Sequence, residues 1–247
     1  ISIVSILTPP QSHGQLAVEA IRKGVNVLVE KPFTMTSSEA TLVLDSLKGS
    51  GVKLTVNHEL LFTRAMMNAS YLIRKGTVGE VIGAEVKFLH TRDEVMASDE
   101  KHWCHKILGG RFGEMLPHPV YLLQATLGNI LRVDRVSASK RGSYSWMPYD
   151  ELSVLLQGER GSGHIYVSFN AARPAMIVNI YGTKKILKVD LMNQMLIELG
   201  ERPADSSKVA SAEDYLGISC RLMLMTVGNA LHFLSLKRGE FSMRAIY

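Results

Sequence analysis

Three short apolar runs near the start of the chain each stop at a polar or proline-bearing segment, with helical periodicity filling the gaps between them. Ile3 to Leu7 is rich in β-branched residues and ends at Thr8-Pro9-Pro10, where proline cannot donate to a sheet ladder. Ser12 is placed to cap a helix whose apolar positions Leu16, Ala17, Ala20 and Ile21 share one face, and Gly24 closes it. Val25 to Val29 reads as a second buried strand, ended by Glu30-Lys31-Pro32. Thr36 or Ser37 starts a helix through Leu47, and Val52 to Val56 is a third strand, followed by Asn57-His58-Glu59. This alternation predicts right-handed crossovers and a parallel sheet covered on both faces. In open sheets of this kind the ligand lies outside the carboxyl ends of the strands, which here carry the three polar segments.

No strand in this region is followed by a Gly-x-Gly-x-x-Gly turn, and the Gly109-Gly110 pair lies elsewhere. A dinucleotide fold carries that turn in a first half of roughly 70 residues. Residues 1–62 therefore read as the second half of such a domain, lacking its first. The chain begins with Ile1, inside what reads as a core strand, so an upstream segment is expected to be absent, and any targeting signal with it. From Gly79 onward the pattern changes to alternating runs: Val81 to Leu89, Val133 to Ser139, Leu152 to Leu156, His164 to Phe169, Met176 to Tyr181, Ile186 to Val189 and Met195 to Leu199. Turn signals such as Gly158-Glu159-Arg160-Gly161 separate them, which predicts a large open, mainly antiparallel sheet. One helical stretch, Phe112 to Leu127, interrupts it, and another is expected around Leu222 to Leu236. The fold class is α/β plus α+β, divided into residues 1–62 and 63–247.

Composition excludes several functions. No apolar stretch approaches the roughly 20 residues of a membrane span, so no membrane partner is expected. The net charge of +5 comes from scattered Lys and Arg with no basic run interleaved with aromatics, so nucleic acid is not expected either. A dinucleotide or an acidic substrate would suit the sign. The chain holds 2 cysteines, Cys104 and Cys220, too few for a disulfide framework, which fits a reducing, cytoplasmic setting. His102, Cys104 and His105, with His90 nearby, lack any established metal-ligand spacing, and no metal site is expected.

Thr8-Pro9-Pro10 with His13 three residues on, then a helix, then Val27-Leu28-Val29 running into Glu30-Lys31-Pro32, resembles the Gfo/Idh/MocA family of nicotinamide-dependent oxidoreductases. The likeness continues through Leu72 to Val81, which resemble the opening of the family's second domain. It also takes in Trp103, Gly109-Gly110 and Glu114 through His118, which resemble its substrate-side helix, and Tyr181 to Leu187, a hairpin of its large sheet. It spans Ile1 to about Leu199 and fades beyond. The resemblance implies a partial Rossmann domain, NAD or NADP as cofactor, a sugar, cyclitol or related polyol as substrate, and a homo-oligomer formed through the open sheet.

Hydride transfer from an alcohol needs a base for the hydroxyl proton and a cation beside the developing oxyanion. The family's counterpart of Lys31 touches the reacting hydroxyl and the nicotinamide ribose, and Lys31-Pro32 is a candidate cis peptide. Glu114 and His118 are four residues apart, so on a helix they share a face, although Pro117 leaves open that Glu114 lies just before the helix. The resemblance makes His118 the proton acceptor and Glu114, where the family usually has Asp, a substrate-binding group, with Trp103 beside it. Thr8, Pro9, Pro10, His13, Glu30, Lys31 and Asn57 would line the cofactor, His13 supporting that loop or capping the helix. Glu59 and Leu60-Leu61 stand where polar Asn and Arg residues are common in the family, a departure from its usual substrate or cofactor contacts there. A non-catalytic sensor or regulator on the same fold is the alternative to the enzyme.

Overall fold

The computed structural model describes residues 2–202 and 208–236. The chain opens with β1 (Ile3–Ile6), α1 (His13–Arg22), β2 (Asn26–Val29), α2 (Ser37–Leu47) and β3 (Leu54–Val56), which form a three-stranded sheet in the order β1-β2-β3. Both pairings are parallel, with Ile6 opposite Val29 and Val29 opposite Val56. Thr36 caps α2 by accepting from the backbone N–H of Glu39, as its sequence suggests. Ser12 does not cap α1. A single 3-10 turn, Pro10–Ser12, leads into that helix, and the Ser12 hydroxyl donates to Pro9 O instead (2.9 Å).

Ile3 and Leu7, expected inside a buried strand, are 56% and 69% exposed, and within β1 only Ile6 is buried. The reason is position: β1 is an edge strand, and among the described residues nothing pairs with its outer side. Ile6, Ala17, Ile21, Val27, Val29 and Val43 form the small core between this sheet and its helices.

After a 3-10 turn at Glu59–Phe62 and α3 (Arg64–Arg74) come β4 (Val81–Leu89), α4 (Val95–Ser98), α5 (Gly110–Met115) and α6 (Pro117–Leu127). Strands β5 (Ile130–Ser139), β6 (Glu151–Gly158), β7 (Gly161–Ser168), β8 (Ala175–Gly182), β9 (Lys185–Asp190) and β10 (Met195–Gly200) follow, then α7 (Lys208–Leu236), which starts earlier than its periodicity indicates. The seven strands lie in the order β10-β9-β8-β4-β7-β6-β5. All pairings are antiparallel except β4 with β7, because β4 arrives first and is later inserted between β8 and β7. Ala84, Val86 and Phe88 on β4, Ile165 and Val167 on β7, and Val178 and Ile180 on β8 alternate onto one face and bury against α3 and α6. The opposite face carries Glu85, Leu155, His164 and Tyr181 and is not covered by any described helix.

The helical stretch between β4 and β5 is two helices. Pro117 has no N–H to continue α5, so the chain ends one helix at Met115 and starts the next with proline at its first position. Glu114 thus closes α5 and His118 opens α6. The loop before α5 packs tightly: a Cβ on Gly113 would lie 2.0 Å from Leu108 O, and Gly109 adopts φ +79° as the cap of α5. Glycine at both places lets Arg111 and Glu114 swing under the rim of the small sheet.

Candidate active site

The carboxyl ends of the three parallel strands are braced against one another. The His13 ring is buried at 1% exposure and bridges two of them, with Nε2 2.8 Å from Thr8 O and Nδ1 2.9 Å from Pro32 O. Both partners are carbonyls of neighbouring loops, so His13 is a strut of the rim and not a helix cap. Glu30 ties the second strand end to the third: it accepts from Asn57 Nδ2 (2.6 Å) and from Lys31 N (3.3 Å). The Lys31–Pro32 peptide is cis. Thr8 and Pro9 stay exposed on the rim, whereas Pro10 is buried as the first residue of the 3-10 turn.

Lys31 reaches from this rim to the larger sheet's helices and forms an ion pair with Glu114. The second Glu114 oxygen pairs with Arg111, and the Arg111 guanidinium continues to Glu94 at 3.2 Å. Charges alternate along the row Lys31, Glu114, Arg111, Glu94, with Glu114 and Arg111 buried and Lys31 and Glu94 half-buried at its ends. Arg111 is the most enclosed, with a side chain 3% exposed and its guanidinium 5.3 Å from the Phe169 ring. Glu94 also accepts from Ala97 N (2.8 Å), capping α4. Burial would raise the Glu94 carboxyl, but Arg111 outweighs it and holds the group below the usual carboxylate value. His90 stacks on Phe169 at 5.1 Å, and burial together with Arg111 pushes its imidazole down to about 4.

His118 lies on the first turn of α6 and is 8% exposed. Its Nδ1 is 2.8 Å from the Tyr121 hydroxyl and 3.4 Å from Glu59 Oε1. Leu60 N donates to the same hydroxyl (3.3 Å), and His58 stacks on the Tyr121 ring at 4.3 Å. Burial first, then the charges of Lys31 and Arg111, push the imidazole down to about 2. The ring is therefore neutral throughout the physiological range, able to accept one proton at one nitrogen but poorly able to keep two.

Lys31, Glu114 and His118 come together where the two sheets' loops meet. Thr8, Pro9, Pro10, His13, Glu30 and Asn57 all sit along the adjoining rim. Trp103 stands apart: it is 41% exposed, and its ring contact is with His102, with no described hydrogen bond, ion pair or ring contact to Lys31, Glu114 or His118. Sequence reading passed over Arg111, Glu94 and Tyr121. The spacing of Arg111 to Glu114 and of His118 to Tyr121, three residues in each case, is the local signal for two of them. Nothing in the sequence points to Glu94, which arrives from a separate loop.

Two family profiles match the chain. One, described as an oxidoreductase family with an NAD-binding Rossmann fold, covers residues 1–58, and the other, a GFO/IDH/MocA C-terminal domain, covers residues 66–188. The chain belongs to the Gfo/Idh/MocA family. An oxidoreductase of Formosa agariphila is 33% identical over 144 residues, 57% of this chain and 45% of that protein. A levoglucosan dehydrogenase of Pseudarthrobacter phenanthrenivorans is 23% identical over 68% of this chain and 44% of its own length. The chain thus spans about half the length of these curated relatives. Among solved structures, a levoglucosan dehydrogenase in complex with NADH and levoglucosan superposes with a TM-score of 0.72 at 21% identity, covering 83% of this chain and 59% of that one. That similarity concerns the fold. Both Gfo/Idh/MocA profiles fall on the parts the geometry separates, the small parallel sheet and the large mixed one.

Proposed function

We propose that the chain forms the catalytic rim and substrate domain of an oxidoreductase that moves a hydride between a nicotinamide cofactor, NAD or NADP, and a sugar, cyclitol or related polyol. The observation that carries the reading is the meeting of Lys31, Glu114 and a neutral His118 at the carboxyl rim of a parallel sheet. Relatives named for sugar-like substrates, such as the levoglucosan dehydrogenase and a scyllo-inositol 2-dehydrogenase (NADP+) of Bacillus subtilis, support it. The residues present fit the nicotinamide end of a dinucleotide: Thr8 and Pro9 are exposed at one strand end, and Glu30 and Asn57 present a fixed carboxylate–amide pair at the other two. When bound, the nicotinamide supplies the hydride acceptor. The Lys31 ammonium would stabilise the substrate oxygen as negative charge develops, Glu114 would accept from a neighbouring hydroxyl, and His118 would take the reacting hydroxyl's proton.

The test is to follow reduced-nicotinamide absorbance with the purified protein, NAD or NADP, and a panel of polyols. Turnover on at least one polyol is expected. Dinucleotide binding without turnover on any of them would instead favour a sensor that keeps the fold.

The uncovered face of the large sheet supports a second proposal, that two copies of the chain pair there. Leu155 and Ile82 on that face are 45% and 56% exposed. Leu155→Glu places a charge in the middle of the pairing surface, and sedimentation velocity is expected to show a smaller species than wild type. An unchanged sedimentation coefficient would place the interface elsewhere.

A further inference from the structure

The hydroxyl proton cannot rest on His118. Accepting it would make an imidazolium in a buried position that already faces Lys31 and Arg111. A neutral imidazole has one way to accept a proton without becoming a cation, which is to release another from its opposite nitrogen at the same time. The opposite nitrogen here is Nδ1, since Nε2 makes no hydrogen bond among the described residues and is not fully buried, so it is the nitrogen left open to a substrate.

We propose that Glu59 is the group behind His118 that receives this proton, so that the imidazole works as a relay and Glu59 as the base that completes it. The inference rests on the oxidoreductase reading above. Glu59 Oε1 lies 3.4 Å from His118 Nδ1, within a small side-chain movement of a hydrogen bond. Its other oxygen, Oε2, is buried with no hydrogen-bond partner among the described residues, which an ordinary structural carboxylate avoids. The Glu59 side chain is nevertheless 27% exposed overall, which gives an arriving proton a way out to water. The Tyr121 hydroxyl, at 2.8 Å, holds the ring in place; as a phenol it is a far weaker base than a carboxylate and cannot end the transfer.

The groups facing the pair agree. Around His118, burial and the cations Lys31 and Arg111 oppose a second proton on the ring, and the nearby His58 and His90 are themselves held below the usual imidazole value. Around Glu59, burial raises the carboxyl above its usual value, its own backbone N–H and Lys31 pull it down, and Glu30 and Glu114 raise it further. The outcome is a carboxyl more basic than usual beside an imidazole less basic than usual, and the proton favours the carboxyl.

In the oxidation direction the substrate O–H bond breaks and its proton bonds to Nε2. The Nδ1–H bond breaks and that proton bonds to a Glu59 oxygen. The carbinol carbon becomes a carbonyl as its hydride leaves with its electron pair, for which a bound oxidised nicotinamide would supply the acceptor. The ring is neutral before and after, with its proton moved from Nδ1 to Nε2. Glu59 acts through His118, so it is a positioning and proton-accepting residue and does not touch substrate.

Two measurements on wild type and Glu59→Gln test this. In the first, 15N spectra of histidine-labelled protein, with His118 assigned by its loss in His118→Gln, are followed against pH. Wild type is expected to switch from the Nδ1–H to the Nε2–H tautomer, without an imidazolium signal, as Glu59 takes up a proton above the usual carboxylate range. Glu59→Gln should show no such switch. In the second, kcat against pH for polyol oxidation should have an acid limb in wild type that disappears in Glu59→Gln. The variant's plateau should be lower by about 10²-fold with KM nearly unchanged. A tautomer switch that persists in Glu59→Gln, or a wild-type ring that never switches, overturns the relay. So does an acid limb identical in both proteins. If neither protein turns over a polyol, the oxidoreductase reading fails, while the spectra still decide the role of Glu59.

Discussion

Lys31→Met is expected to lower kcat/KM for polyol oxidation by roughly 10²–10³-fold, the cost of removing one preorganised electrostatic contact from a developing oxyanion. Methionine keeps the length and apolar stem of the side chain while deleting the charge. The loss should fall mainly on kcat, because the ammonium matters most when the substrate oxygen carries negative charge and least in the bound ground state. Lys31 holds its position through Glu114, which keeps a second cation in Arg111, so the variant's carboxylate is not left unpaired and the chain should still fold. Steady-state kinetics beside a urea denaturation curve separate the two effects. A variant with normal kcat and a raised KM would show that Lys31 only holds the substrate. One with unchanged kinetics would remove it from the chemistry.

Much of this arrangement is legible in the sequence, for reasons specific to each element. The strands ending at Thr8, Glu30 and Asn57 could be read because each is a short run rich in apolar and β-branched residues that proline or a polar triplet stops sharply. The large sheet could be read because one face is covered and the other is not, which writes itself as alternation. What could not be read is the place of β4. It pairs with β7 and β8, strands that lie 70 or more residues later, and the parallel β4–β7 ladder depends on an insertion that no local pattern records. The exposure of Ile3 and Leu7 was missed for a similar reason, since apolar composition marks a strand but not whether a neighbour lies beside it.

The site divides the same way. Lys31 and His118 stand out because their flanking motifs are local. The ion row that fixes Glu114 is not local: it collects Lys31 from the first sheet, Arg111 and Glu114 from α5, and Glu94 from the loop ahead of α4. The break at Pro117 was visible as a proline, and its consequence was not: Glu114 and His118 occupy two abutting helices, one facing Lys31 and the other facing Glu59. The two oxygens of Glu114 pair one with Lys31 and the other with Arg111, which joins the rim of the small sheet and the ion row into a single unit.

That unit makes Arg111→Met the substitution with the largest expected effect on stability. Arg111 sits between the buried Glu114 and the half-buried Glu94, and methionine fills most of its volume while leaving both without their guanidinium. Removing one partner of a buried pair costs about 3–5 kcal/mol, and the urea midpoint at neutral pH should fall accordingly. The pH dependence identifies the cause. In wild type the Glu94 carboxyl lies below its ordinary value of 4.5, since Arg111 outweighs burial. A depressed carboxyl contributes stability that is present above the ordinary value and is lost as pH falls through the folded one. Without Arg111, burial, the largest influence on this group, outweighs the remaining Ala97 N–H bond and raises the carboxyl, so the folded variant binds protons more readily than its unfolded chain. Its deficit should therefore shrink as pH falls below about 5. Arg111→Lys, which restores a charge but not the planar fork that reaches both carboxylates, should recover part of the loss. A deficit equal at pH 7.5 and 4.5 would assign the loss to packing against Phe169 and not to the ion row.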